Sequence, residues 1–162
     1  RIIGRDSGNW YSVFIIDKGE DDGLAIDMNV IAGGGLVGRI TSVGPNWSTV
    51  TSIISDNSNV SAMTLSTEAN LTVSGDLKQM ADGYITFGKL MDSQNEVKEG
   101  DKVVTSNISD KYLPNILIGY ISLIEKDANN LTKSGRLVPA VDFEHLSEVL
   151  VITDMKQAVG DE

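Results

Sequence analysis

The stretch "IAGGGLVGRITSVGPN", Ile31 to Asn46, carries the first decision about the fold. Its glycines at Gly33, Gly35 and Gly38 match G-x-G-x-x-G, which in dinucleotide-binding enzymes leads into a helix whose N-terminus holds phosphate. Here the following residues are β-branched and end in a Gly-Pro-Asn turn, so a strand stands where that site needs a helix. The stretch therefore predicts a hairpin, in which the glycines supply the positive φ of a tight connection.

Short segments of the same character continue along the chain, bounded by Gly, Asn, Asp or Ser. No segment keeps a 3.6-residue periodicity over three turns, and at most "DFEHLSE" (142–148) forms one helical turn. Regular short strands with frequent turns indicate an all-β barrel or sandwich. Strands are predicted at 10–17, 28–32, 36–43, 48–54, 60–65, 69–75, 83–90, 101–106, 117–124, 135–141 and 147–153.

A faint internal repeat bears on the domain organisation. Leu36-Val37-Gly38-Arg39-Ile40 aligns with Leu117-Ile118-Gly119-Tyr120-Ile121, and an acidic–Gly segment and an apolar strand precede each copy. Two copies of one β motif favour two small barrel-like β subdomains in tandem, with one larger barrel as the alternative. We expect the break between about residues 65 and 75.

Composition narrows the function classes. The 162 residues fit one ordinary domain or two small ones, and without cysteine no disulfide or thiolate metal site is possible. With a net charge of −10 and few, scattered basic residues, nucleic acid and anionic lipid are unfavourable partners. No apolar run approaches the roughly 18 residues of a membrane helix. Because the sequence starts at Arg1, we expect a soluble part of a longer protein.

Two clusters could suggest chemistry. The single histidine, His145, lies near Asp142, Glu144 and Ser147, but triads are usually assembled from distant segments, and one histidine cannot build a multi-His metal site. Carboxylates at 17–23, "DKGEDDG", lack the alternating oxygen ligands of a calcium loop. We therefore predict a non-catalytic histidine, a solvated acidic turn, and no catalytic, cofactor-binding or metal-binding residue.

Aromatic and apolar side chains at element ends are the remaining candidates. We expect most of them to cap the barrel cores, and some could act as partner-binding anchors, because aromatics are enriched at interface hot spots. They are Trp10, Tyr11, Trp47, Tyr112 and Leu113.

Ordered motifs through nearly the whole chain resemble the extracytoplasmic region of the rod shape-determining MreC family. "RIIGRDSGNWYSVFIIDKGEDDGL" (1–24) and "GLVGRITSVGPNWSTVTSIISDNSNVSAM" (35–63) resemble its opening motifs. "GDKVVTSNISDKYLPNILIGYI" (100–121) and "VPAVDFEHLSEVLVI" (138–152) resemble its later ones. Three turn positions depart from the family pattern, which leaves the local geometry there open: Ser7, Asn29 and Ile116.

The resemblance implies two barrel-like subdomains, and in the family the last strand can return to the first. We accordingly expect a first subdomain over 1–68 completed by 147–154, a second over 69–146, and a flexible polar tail over 155–162. The resemblance also implies a membrane helix and a coiled coil elsewhere in the full-length protein. The region described by this sequence would lie at the extracytoplasmic face of a bacterial membrane.

The function that the resemblance implies is non-catalytic. MreC-like proteins self-associate into dimers or filaments and bind a class B penicillin-binding protein, MreD and other elongation-complex proteins. They thereby organise lateral peptidoglycan synthesis and rod shape, and no cofactor is implied. No partner-binding residue can be assigned from the sequence.

Two other functions are alternatives to the MreC-like scaffold. A chymotrypsin-like hydrolase needs the chain order His, Asp, Ser, but Ser147 precedes Asp154 after His145, so that order fails. A β-barrel adaptor of an envelope efflux or secretion assembly also carries G-D-x-V-V repeats, and the long opening match favours MreC over it.

Overall fold

A computed structural model describes residues 1–5 and 10–156, and they form one twelve-stranded sheet with very little helix. The all-β prediction is confirmed. An α-helical turn α1 (Leu77–Met80) and a short 3₁₀ helix (Glu20–Asp22) are the only helices in this described part. The strands are β1 (Ile2–Arg5), β2 (Val13–Ile16), β3 (Asn29–Ala32), β4 (Gly35–Val43), β5 (Ser48–Ser52), β6 (Asn59–Thr64), β7 (Asn70–Ser74), β8 (Ile85–Leu90), β9 (Lys102–Thr105), β10 (Leu117–Lys126), β11 (Lys133–Pro139) and β12 (Leu150–Ile152).

Strands β6 to β11 close into a barrel, which we call the six-strand ring. The hydrogen-bonded order is β6-β7-β8-β11-β10-β9, and β9 pairs back onto β6. All of these pairs are antiparallel. Closure leaves no free sheet edge within the ring, which removes the template for unwanted strand pairing.

The remaining strands form what we call the N-terminal group. They run in the order β1-β2-β5-β4-β3-β12, so the C-terminal strand returns to this first group, as expected, and pairs there with β3. The outer strands β1 and β12 are not paired with each other. Ile2 N–H of β1 donates to the carbonyl of Ser147, just before β12, at 3.4 Å. The group is therefore nearly, but not fully, a second barrel.

The two groups meet along β4 and β10, which pair in parallel at Gly35 and Leu117. The chain passes from the N-terminal group to the six-strand ring at residues 53–58. These residues follow β5, and the next strand, β6, pairs with β7 and β9 of the ring. The predicted limit of the first subdomain at residue 68 therefore falls inside the ring. That the two groups are separate subdomains stays a prediction, and residues 157–162 of the predicted tail lie outside the described residues.

The sequence repeat corresponds to a repeat in structure. Gly38 of β4 and Gly119 of β10 each lie where a Cβ would overlap the backbone carbonyl of the neighbouring strand, at Thr51 and Val138 respectively. Each strand then has an irregularity in its pairing two residues later, after Ile40 and after Ile121. Glycine is therefore required at the same point of both copies, where two backbones approach closely.

The core is one apolar cluster that runs through both groups. Strands with one face to solvent alternate, as in β7, where Leu71 and Val73 are buried and their neighbours are not. Gly35 to Gly38 of β4 are instead buried without alternation, because β4 lies where the two groups meet and is covered on both faces. Burial on both faces explains why residues 35–38 of β4 carry no polar side chain.

Some local predictions differ from the structure. The opening strand β1 was not predicted, since Gly4 and Arg5 interrupt its apolar residues. Residues 142–148 form a turn and not a helix, while α1 forms at 77–80, where the Asp76 side chain caps it by accepting from Gln79 N–H at 3.0 Å. Among the described residues no helix is long and apolar enough to cross a bilayer.

Candidate functional site

The glycine-rich stretch is a hairpin, as predicted. Gly33 and Gly34, with φ of 58° and 82°, form the two-residue turn between β3 and β4. Both glycines are exposed, and β4 continues directly from Gly35. The helix N-terminus that a dinucleotide site requires is therefore replaced by a strand.

The histidine lies on an exposed turn. The His145 side chain is 73% exposed, and its Nδ1 lies 2.9 Å from Asp142 Oδ2. The hydrogen bond to Asp142 and its charge raise the pKa of His145. Ser147 lines the same shallow cleft, of about 250 Å³, but the described residues contain no hydrogen bond between Ser147 and His145.

The acidic segment is a capped turn at the surface. Residues 20–22 form the 3₁₀ helix, Asp22 Oδ2 accepts from Gly19 N–H at 3.1 Å, and Gly23 ends it with a φ of 85°. Its three carboxylates are exposed. No group of three or more His, Asp or Glu side chains suited to a metal occurs in the described part of the chain.

The aromatic candidates divide into buried and exposed. Tyr11 packs edge-on against Phe14 at 5.9 Å between ring centroids, and the Arg5 guanidinium lies over the Tyr11 ring at 4.5 Å. Tyr112 is only 4% exposed, whereas Trp47 is 37% exposed and covers Gly44. Capping of the core is therefore confirmed for Tyr11 and Tyr112, and Trp47 is partly available to a partner.

Exposed apolar side chains form further surfaces that the sequence did not indicate. Tyr120 and Val138 are cross-strand neighbours on the outer face of the six-strand ring, and Ile3 and Ile15 lie close together where β1 pairs with β2. Ile108 is 62% exposed at the edge of a cleft of about 340 Å³. The available signal was alternation along β2 and β10, whose outward positions carry Ile15 and Tyr120.

A polar site with several side-chain hydrogen bonds joins the two strand groups. Asn29 of β3 is 1% exposed, accepts from Leu113 N–H at 2.8 Å, and donates to the Lys111 carbonyl at 3.0 Å. Asp27 binds both Arg39 of β4, at 2.6 Å, and the Lys111 side chain, at 3.1 Å. We call these residues, with Tyr112, the seam. Asn29 is one of the three departures from the family pattern, and here it is a structural tie.

Asp27 adopts an unusual backbone conformation at the seam. Its φ is 75°, in the left-handed region that most side chains avoid. Its carboxylate accepts from one cation of each strand group, which offsets the strain. The ion pairs that join the two strand groups therefore also stabilise the left-handed backbone of Asp27.

Known proteins match the chain over all twelve strands. A family model, "Rod shape-determining protein MreC, barrel core", matches residues 2–153. The chain belongs to the MreC family. MreC of Listeria monocytogenes is 30% identical over 164 residues, covering 97% of this chain and 53% of that protein. MreC of Bacillus subtilis is 30% identical over 161 residues, covering 93% and 54%. The chain thus spans about half the length of these cell shape-determining MreC relatives.

Solved MreC structures share the fold. Listeria MreC superposes with a TM-score of 0.84 at 31% identity, covering 98% of this chain and 74% of that one. Pseudomonas aeruginosa MreC gives 0.81 at 20% identity, covering 93% and 95%. A chain of the complex between a penicillin-binding protein (PBP2) and MreC from Helicobacter pylori gives 0.68 at 14% identity, covering 93% and 92%. The Pseudomonas and Helicobacter chains are only 20% and 14% identical to this one, so their likeness shows the fold alone.

Proposed function

We propose that this chain is the extracytoplasmic part of a scaffold that maintains rod shape by organising lateral peptidoglycan synthesis. The observation that carries the proposal is the family match over residues 2–153, which takes in both strand groups. The full-length protein would be anchored to the membrane by one helix. It would act without catalysis, by self-association and by binding a class B penicillin-binding protein, MreD and other elongation-complex proteins.

The complex of a penicillin-binding protein with a Helicobacter pylori MreC supports the first of these partners. Binding would favour one conformation of the transpeptidase over another, because a partner shifts a population only through differential contact with its states. Outward-facing apolar side chains such as Tyr120 and Val138 suit such a contact, since aromatic anchors contribute strongly to interfaces. Nothing comparable supports an efflux or secretion adaptor.

Binding to the class B penicillin-binding protein ectodomain from the same organism tests the proposal. Isothermal titration calorimetry of the present chain should give saturable binding. Two double variants, Tyr120→Ser with Val138→Ser and Ile3→Ser with Ile15→Ser, remove one exposed apolar pair each and serve as controls for one another. Loss of binding in one double variant would locate the interface.

Cell shape gives the second readout. Deleting the gene from a rod-shaped host should produce rounded cells, and a copy of the wild-type gene should restore rods. Absence of binding in calorimetry together with normal rods after deletion would overturn the proposal.

A further inference from the structure

A cleft of about 230 Å³ lies on the seam between the N-terminal group and the six-strand ring. Arg39 and Thr51 come from the N-terminal group, and Asn57 and Ser58 from the crossing segment. Lys111 and Tyr112 come from the segment between β9 and β10. The cleft exists only because the two groups are joined as they are.

The cleft is positively charged in a chain whose net charge is −10. Arg39 and Lys111 share a single carboxylate, that of Asp27, so the three side chains together carry one positive charge. Lys111 donates to Asp27, and Arg39 donates to Asp27 and is hydrogen-bonded to the Tyr112 hydroxyl. Since a guanidinium has five N–H donors and an ammonium three, both have donors left for another oxyanion.

The Tyr112 hydroxyl adds a polar group to the cleft. The residue is 4% exposed and lines the cleft, and its hydroxyl is hydrogen-bonded to the Arg39 side chain. Burial raises the pKa of Tyr112 to about 12, against the lowering effect of the Arg39 charge, so the hydroxyl keeps its proton at neutral pH. A phenolic oxygen that accepts from the Arg39 guanidinium keeps its own O–H available to donate to a ligand.

Neutral polar groups complete the lining. Within the described ranges the Asn57 amide and the Ser58 hydroxyl make no side-chain hydrogen bond, and Thr51 Oγ1 lies 2.9 Å from Thr41 Oγ1. Amides and hydroxyls beside cations suit a ligand that carries an amide or hydroxyl next to its charge. The volume admits a molecule of a few heavy atoms and not a folded partner.

We propose that this seam cleft binds a small ligand bearing a carboxylate or phosphate oxyanion next to an amide or hydroxyl group. Arg39, Lys111 and Tyr112 would hold the oxyanion, and Asn57 and Ser58 the neighbouring polar group. This site is independent of the proposed scaffold function, since it faces the junction of the two groups and not the outer apolar surfaces.

Two charged probes and their neutral counterparts test the site on the full chain. N-acetylglycine and glycerol 3-phosphate are titrated while the backbone amide shifts are followed by NMR, with N-acetylglycinamide and glycerol as neutral controls. Saturable shifts at residues of the cleft with one or both charged probes, and none with the neutral ones, are expected. Whichever charged probe binds more tightly identifies carboxylate or phosphate as the source.

Matched variants separate a built site from general charge attraction. Lys111→Gln and Tyr112→Phe should each weaken the better probe by about tenfold, as expected for a lost hydrogen bond to a charged group. Lys126→Gln and Tyr84→Phe remove the same groups outside the cleft and should change its affinity by less than about twofold. Absence of shifts at the cleft, or equal weakening in the cleft and control variants, would overturn the proposal.

Discussion

At the scale of single residues, Asp92 is a buried carboxylate whose two oxygens accept three hydrogen bonds. Oδ1 accepts from Glu96 N–H at 2.8 Å, and Oδ2 accepts from Val97 N–H at 3.1 Å and Lys133 Nζ at 2.9 Å. The Asp92 and Lys133 side chains are 4% and 12% exposed. These bonds fasten the segment after β8 onto β11 and stabilise the charged form of the Asp92 carboxylate.

We expect Asp92→Asn to lower the free energy of unfolding by about 3 kcal/mol, since it leaves the buried Lys133 ammonium without its counter-charge. Urea denaturation followed by circular dichroism measures the change. Asp82→Asn, at an exposed carboxylate of the same ring, is the control and should cost less than about 0.5 kcal/mol. Equal denaturation midpoints for the two variants would contradict a stabilising role for the Asp92–Lys133 pair.

The same carboxylate predicts a dependence of stability on pH. Burial raises the pKa of Asp92, but the bonds from Lys133, Glu96 and Val97 together outweigh it, so the pKa lies below the usual 3.8. A lowered folded-state pKa means that the stabilisation is complete above the unfolded pKa and is lost as pH falls through the folded one. The wild type should therefore lose stability more steeply than Asp92→Asn below about pH 4. Parallel curves of unfolding free energy against pH would count against this linkage.

At the scale of elements, the two copies of the repeated motif make the same demand on their central glycine. A methyl group at Gly38 or Gly119 would overlap the carbonyl of the adjoining strand, whereas nothing lies within 4 Å of a Cβ at Gly88 of β8. Gly38→Ala and Gly119→Ala should each cost about 2 kcal/mol, the usual range for a forced backbone shift. Gly88→Ala is the matched strand control and should be nearly neutral. Thermal unfolding compares the three, and a neutral Gly38→Ala would show that β4 and β5 can separate at no cost.

Element types were largely predictable from local pattern. Eleven of the twelve strands lie within or overlap a predicted segment, because alternation and turn residues are local signals. The exception, β1, is held by pairing with β2, a tertiary contact that four residues do not encode. Strand β6 lies within the predicted 1–68 segment and pairs with β7 and β9, because its partners depend on how the ring closes.

The candidate site was much less predictable than the elements. The β3–β4 hairpin places Asp27 and Asn29 beside Arg39, but Lys111 lies far along the chain and reaches them only where the two strand groups meet. The departure at Asn29 was visible in the sequence, but its role required knowing that residues 111–113 lie opposite. The sequence predicts that Tyr112 caps a barrel core, but not that its hydroxyl lies at the cleft.

At the scale of the whole molecule, Asn29 holds the two strand groups together. Asn29→Ala would leave Leu113 N–H and the Lys111 carbonyl without their partners, at a cost of about 2 kcal/mol. Hydrogen exchange should accelerate at residues 111–113 while the amides of β7 and β8 inside the ring stay protected. Asn46→Ala, at an exposed turn, should leave both measurements unchanged. Uniform acceleration over the whole chain in Asn29→Ala would mean that the tie is not local to the seam.

The pairing of β12 with β3 has a consequence for the order in which the molecule acquires its structure. The six-strand ring is built from one continuous segment, 59–139, whereas the N-terminal group needs Leu150 beside Ile31. Contacts between distant segments form late, because the intervening loop must first be closed. During synthesis on the ribosome, we therefore expect the half that emerges first to be completed last, and the ring to serve as the folded nucleus against which it closes.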